Sequence, residues 1–231
     1  MVCLVVLWQV RDKLRLRDLP EMFLDRGLAF THAAVRAWEA QLAPVLSETL
    51  RKHRRGRIGP SWYGDETSLK VKGRWTSLYR AIDREGNLVD VLLREKWGKA
   101  AAEAFFRSAR TVTDRVPERV TSDGHDAYPG AIKAALGAVV RHRTNRDLNN
   151  PLEQDQRGIK QRIRPMGDFK SVESATRFCR VQDEVRNFLR PRFTTNNENG
   201  LCRQKATPLP CGTAERNRSF RGRSRESLLT F

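Results

Sequence analysis

Three carboxylates stand out by where they fall. Asp65 lies inside the run WYGDETSLKV, Asp123 follows RVTS in TSDGHDAY, and Glu153 stands near the start of NNPLEQDQRGIKQRIRPM. A strand interior disfavours an acid unless its side chain is put to use, and the end of a β-run is where α/β sheets display functional groups. Three carboxylates gathered at one place suit two Mg2+ ions, one activating an attacking oxygen and the other stabilising the leaving oxygen of a phosphodiester. Mg2+ takes oxygen ligands and keeps waters, so few carboxylates suffice. Asp83, Asp90, Asp126 and Asp155 are competing acids, and residue types alone leave the choice among them open.

The surroundings of Glu153 are basic. Glu153, Arg157, Lys160 and Arg164 fall at i, i+4, i+7 and i+11, beside an apolar stripe of Leu152, Ile159 and Ile163. Asn150 can cap this helix, Pro151 suits its first position and Pro165 ends it. An ordinary solvated face, with Glu153 paired to Arg157 for a few tenths of a kcal/mol, also accounts for the pattern. The sharper alternative is a metal-binding carboxylate at the edge of a phosphate-binding surface. Composition favours a polyanionic partner: the 231 residues include 44 Lys+Arg against 27 Asp+Glu, a formal net charge of +17, and nucleic acid is the commonest such partner. A membrane surface would call for a basic amphipathic helix or a lipidation signal, whereas here the cations are spread along the whole chain.

Other classes fall away. The opening MVCLVVLWQV has no preceding cation and no small-residue cleavage site, so it does not read as a secretory signal, and no stretch reaches the ~20 apolar residues of a membrane span. Four cysteines with no CxxC pair exclude a zinc or disulfide framework. A cytoplasmic protein with reduced thiols is expected.

The elements that must position the acids follow from periodicity. Residues 1–50 read as a small all-α unit. Asp18 starts a helix with Leu19, Met22 and Phe23 on one face, and Gly27 sits at its C-cap. Thr31 caps a second helix with Ala34, Val35, Trp38 and Leu42 inward and His32, Arg36 and Gln41 outward. Two helices and a tight turn fit a helix-turn-helix, with Arg36 the outward donor for base edges. RKHRRGRIGP, residues 51–60, reads as a basic linker. Residues 61–190 begin with three β-runs broken at Lys72-Gly73 and Glu85-Gly86-Asn87, an antiparallel meander. Helix, strand, helix, strand and two more helices follow, predicting an α/β fold with a mixed sheet. If the first and fourth strands are neighbours, the acids converge. Trp62 and Trp75 are expected to pack on the sheet, His125 to serve its turn and Cys179 to be a small buried hydrophobe. Residues 191–231, rich in Arg, Ser, Asn and Gly, read as a disordered basic tail.

DETSLKVKGRWTSLYRAIDREGN, TSDGHDAYPGAI and NNPLEQDQRGIKQRIRPMGDFKS, in that order, resemble the three catalytic blocks of the insertion-sequence-six family of bacterial transposases. The resemblance runs from about Leu7 to Leu189 and includes the helix-turn-helix. It implies a ribonuclease-H-like mixed sheet flanked by helices, and a DDE triad falling on Asp65, Asp123 and Glu153 as catalytic and metal-binding residues. Two Mg2+ ions, with Mn2+ as a substitute, would be held there. It further implies double-stranded DNA partners, namely the element's terminal inverted repeats and a target, and a homo-oligomer on that DNA. The expected DNA contacts are Arg36, Arg54, Arg55, Arg157, Lys160 and Arg164. The chain departs from the family pattern at Ser68, where an aromatic is usual, at Gln156, where a histidine is general, and in a shorter stretch before Glu153. Met1 falls inside what the resemblance makes the first helix of the DNA-binding unit. A DNA-binding relative without catalysis and a nuclease on the same fold are the alternatives.

Overall fold

The computed structural model describes residues 2–12, 14–54, 57–144, 157–161, 163 and 169–190, all within the unit Met1–Arg190. Three helices lead: α1 (Val2–Arg11), α2 (Asp18–Leu24) and α3 (His32–Arg54). Apolar residues at helical spacing on all three meet in one cluster around Val5, Leu19, Phe23 and Val35. Within it Trp8, Phe23, Phe30 and Trp38 form a chain of rings with centroids 5.1, 5.2 and 5.1 Å apart. Thr31 Oγ1 accepts from the Ala34 amide at 3.2 Å, the expected cap of α3.

The length of α3 departs from expectation. Residues 51–54, expected to open a basic linker, are its last turn. The reason is the apolar stripe, which continues through Ala43, Leu46 and Leu50 beyond the point where local charge density suggests a break. These residues pack with Val6 and Val10 of α1 and with Val181 and Val185 of the last helix, α6 (Val172–Leu189). The head is thus continuous with the sheet layers rather than strung from them.

The strands are β1 (Ser61–Val71), β2 (Arg74–Asp83), β3 (Leu88–Arg94), β4 (Arg119–Ser122) and β5 (Arg141–Thr144). Lys72 (φ 49°) and Gly73 (φ 77°) close the β1–β2 hairpin with positive φ at both central positions, the geometry that matches strand twist. The sheet order is β3-β2-β1-β4-β5, antiparallel across the first three strands and parallel from β1 through β4 to β5. This is the ribonuclease-H-like mixed sheet.

Two apolar layers cover its faces. Helices α4 (Lys99–Thr113) and α5 (Ala127–Leu136) bring Phe105, Phe106, Tyr128 and Ile132 against Trp62, Tyr79 and Val120. Phe105 and Phe106 are wholly buried, each contributing about 1.5–3 kcal/mol by that burial. On the other face, Leu69, Val71, Leu78 and Val91 meet Phe178 and Cys179 of α6 and Ile159 of the helical residues 157–161. Ser171 caps α6, accepting from the Ser174 amide at 3.2 Å. Cys179 is the expected buried hydrophobe, its thiol pKa pushed far up by burial.

Helix α6, covered by the sheet on one side and by α1 and α3 on the other, carries buried charge. Asp183 pairs with Arg80 at 2.9 Å and Glu184 with Arg54 at 2.8 Å. Arg177 reaches Glu39 of α3 at 3.0 Å, and Arg51 reaches Asp90 of β3 at 2.8 Å. Buried charges persist when paired and hydrogen-bonded in this way.

Candidate active site

The placement of Asp65 and Asp123 follows from strand register. In the parallel β1–β4 pair, Ser61 lies opposite Arg119, Trp62 opposite Val120 and Tyr63 opposite Thr121. Continuing that offset past the end of β4 sets position 65 level with position 123. Asp65, in the interior of β1, therefore stands level with Asp123, which follows the carboxyl end of β4, where a sheet presents functional groups. Both are half-buried.

The turn after β4 is built to hold Asp123. Gly124 takes φ +96°, and a Cβ there would stand 2.5 Å from Thr144 Cγ2 of β5, so the chain passes that strand only without a side chain. The His125 amide donates to Asp123 Oδ1 at 3.3 Å. His125 Nδ1 accepts from the Ala127 amide at 3.1 Å, which puts the proton of the neutral ring on Nε2. His125 thus serves the turn that opens α5, as expected. The Asp65 carboxylate accepts from the Glu66 amide at 2.8 Å.

Electrostatics register the convergence. Tyr128, in the first turn of α5, is 1% exposed, and its hydroxyl makes no hydrogen bond among the described residues. Its pKa is held far above the ordinary value, first by burial and then by the charges of Glu66, Asp65 and Asp123. Three carboxylates thus bear on one buried hydroxyl. Glu66, next to Asp65 in β1, was not anticipated; consecutive strand residues point to opposite faces, so it stands across the sheet from Asp65 and outside the proposed donor set. Glu66 is hydrogen-bonded to Tyr79, whose pKa is pushed up to about 12, chiefly by burial.

The competing acids have other work. Asp83 accepts from the Gly59 and Asn87 amides at 2.9 and 2.7 Å, Asp90 holds Arg51 at 2.8 Å, and Asp126 stands exposed at the N-cap position of α5. Glu153, Asp155, Arg55 and Arg164 lie outside the described residues. Among the described residues no group of three His, Cys, Asp or Glu side chains forms a metal cage.

The expected DNA contacts divide. Arg36 is exposed on the first turn of α3, and Arg157 and Lys160 are exposed beside the buried Ile159. Arg54 is a correction. It is 4% exposed, its Nε and Nη2 bind the Glu184 carboxylate, and its Nη1 donates to the Leu88 and Val89 carbonyls at 2.9 and 2.7 Å. A guanidinium engaged in this way is a clamp between α3, α6 and β3, with nothing left for a phosphate. Trp62 is in the core as expected, but Trp75, expected there too, is 69% exposed near the β1–β2 hairpin.

Comparison with known proteins places this geometry. Residues 59–191, which span every strand and Asp65 and Asp123, match a family described as a DDE domain. The chain is also 33% identical over 170 residues to the transposase for insertion sequence-like element IS431mec of Staphylococcus aureus, an alignment covering 70% of this chain and 73% of that one. The chain belongs to the insertion-sequence-six family of DDE transposases. The same identity and coverage hold for the transposase for insertion sequence element IS257 in transposon Tn4003, also of Staphylococcus aureus. Among solved structures, the transposase is similar to a magnesium-bound HTLV-2 integrase catalytic core, with 21% identity, 46% of this chain and 71% of that one covered, and a TM-score of 0.39. A simian T-cell lymphotropic virus intasome with a PP2A regulatory subunit also matches, at 15% identity, 70% and 61% coverage and a TM-score of 0.45. No helix among the transposase's described residues is long and apolar enough to cross a membrane.

Proposed function

We propose that this transposase binds the terminal repeats of its own insertion sequence and cleaves and rejoins DNA strands at a site formed by Asp65, Asp123 and Glu153. The observation that carries the proposal is the shared height of Asp65 and Asp123 on adjacent parallel strands, within the segment that matches the DDE domain. The donor set suits Mg2+: carboxylate oxygens only, without sulfur or imidazole, with Asp65 and Asp123 half-buried. Two Mg2+ ions, replaceable by Mn2+, would supply Lewis-acid stabilisation to the attacking and leaving oxygens.

The chain's own residues bind and orient. Asp65 from the interior of β1 and Asp123 from the turn after β4 fix the donor geometry, and Glu153 completes the set from the segment ahead of the helical residues 157–161. Arg157 and Lys160, exposed on that helix, hold backbone phosphates beside the acids, where fixed cations oppose the charge that develops during transfer. No side chain acts as nucleophile; water or a DNA 3′-hydroxyl does. On the head, Arg36 reads base edges from the exposed face of α3. Copies of the chain assemble on the paired ends.

The test is substitution by shape-preserving amides. Asp65→Asn, Asp123→Asn and Glu153→Gln should each abolish Mg2+-dependent strand transfer while leaving DNA affinity nearly intact, because an amide loses the charge that holds the metal. Wild-type-like joining by any one variant removes that residue from the site. DNA binding by the unmodified chain without metal-dependent cleavage would instead establish the non-catalytic alternative.

A further inference from the structure

Between β3 and α4 the chain runs Arg94-Glu95-Lys96-Trp97-Gly98-Lys99, and the indole of Trp97 is 65% exposed. An exposed tryptophan held in place differs from a stray surface aromatic. The Trp97 ring meets the His125 ring in an edge-to-face contact, centroids 5.3 Å apart and planes at 82°. His125 in turn donates its amide to Asp123. The backbone just after Trp97 is pinned, because the Gly98 amide donates to the buried Tyr79 hydroxyl at 3.2 Å. The indole is therefore anchored one ring away from the turn that carries Asp123, with most of its surface open.

Its neighbours are cationic. Arg94, Lys96 and Lys99 are all exposed, with Glu95 the one acid among them. The Lys99 stem lies across Gly130 of α5, where a Cβ would stand 2.9 Å from Lys99 Cε, so this cation sits along the edge shared by α4 and α5. Aromatic faces interleaved with cations are the chemistry that binds unpaired nucleotides: bases stack on the ring and phosphates meet the charges, with little dependence on sequence.

We infer that Trp97 is a stacking platform for a DNA base unpaired beside the scissile phosphate, with Lys96 and Lys99 binding the phosphates next to it. The inference rests on the proposed active site, since the polarity of the site fixes which nucleotide lies there. It adds a contact that acts on the open, frayed form of the DNA and not on the intact duplex.

The experiment compares two probes of equal sequence, a fully paired duplex and the same duplex with a short unpaired flap, bound to the full chain without divalent metal. Trp97→Ala should weaken flap binding by about 5- to 100-fold and leave duplex binding unchanged. Trp97→Phe should keep most of the flap preference, because a phenyl ring still stacks. A 2-aminopurine in the flap should be quenched by the unmodified chain and by Trp97→Phe but not by Trp97→Ala. Equal losses on both probes, or none, overturn the inference. So does a change in oligomeric state on Trp97→Ala, which would show the indole covered by a second copy of the chain. If the unmodified chain binds neither probe, the proposed function fails; if it binds both alike, only the platform fails.

Discussion

Replacing Arg54 decides whether the basic run at residues 51–57 acts on DNA or on the fold. In Arg54→Met the Glu184 carboxylate keeps its buried place on α6 but loses its partner, and the Leu88 and Val89 carbonyls lose their donor. Removing one partner of a buried pair costs about 3–5 kcal/mol, against a total stability of order 5–15 kcal/mol for a domain. Burial already pushes the Glu184 carboxyl up, and Arg54 is the main opposing influence. Without Arg54 the folded-state pKa rises further above its unfolded value. The variant's stability is then greatest below the unfolded pKa and is lost as pH rises through the folded one, so the deficit should shrink on acidification. Urea unfolding of both proteins at neutral and mildly acidic pH measures this. The double variant Arg54→Met/Glu184→Leu should recover part of the loss, because no charge remains buried alone. A loss below about 1 kcal/mol, as for an exposed pair, together with a shallower salt dependence of DNA binding, would refute the clamp and restore Arg54 to the DNA surface.

Three further outcomes are expected. Arg157→Ala or Lys160→Ala should weaken binding to all DNA sequences alike and lower the salt slope of log K by about 1, measured by titration at several salt concentrations; a loss confined to the cognate end would contradict phosphate contact. Arg36→Ala should cost about 1–3 kcal/mol on the element's own ends and little on random DNA at one fixed salt concentration, whereas equal losses would show that Arg36 only positions α3. His142 is held below its ordinary pKa of 6.5 by burial and sits 2.9 Å from Ser122 Oγ at the end of β4. The unfolded chain therefore binds more protons, so stability should be full above about 6.5 and fall as pH drops toward the folded pKa, a slope that His142→Asn should reduce in pH-dependent melting curves.

Much of the sheet is legible because its signals are local. Lys72-Gly73 marks a two-residue hairpin, and the β-rich runs on either side of it mark β1 and β2. Asp65 announces itself as a polar residue where a strand wants none. The β1–β4 pairing that sets Asp65 level with Asp123 is not local, since a parallel neighbour is chosen by packing across both faces of the sheet. Arg54 shows the opposite failure. Read beside Lys52 and Arg57 it looks like part of a phosphate-binding run, while its partner Glu184 lies 130 residues away. Trp75, expected to pack on the sheet like Trp62, does not, because a tryptophan at the rim of a strand and one in its interior have the same flanking pattern. Burial separates the two.

Helix α3 stays helical from His32 to Arg54 through an interior proline, Pro44, and its length makes it a measuring rod. One end carries Arg36, the other is bolted by Arg54 to the sheet, and its 23 residues span roughly 35 Å at 1.5 Å per residue. On the proposed function, the stretch of DNA from the bases read to the phosphate cut would be set by this helix and not by diffusion of a tethered head. Lengthening α3 by one residue would turn its reading face by about 100° and silence recognition, whereas adding seven would bring that face nearly back into phase. Those seven residues would carry it about 10 Å further out, close to three base-pair steps of B-form DNA. The position of the cut should move in such quanta, with inactive lengths between them.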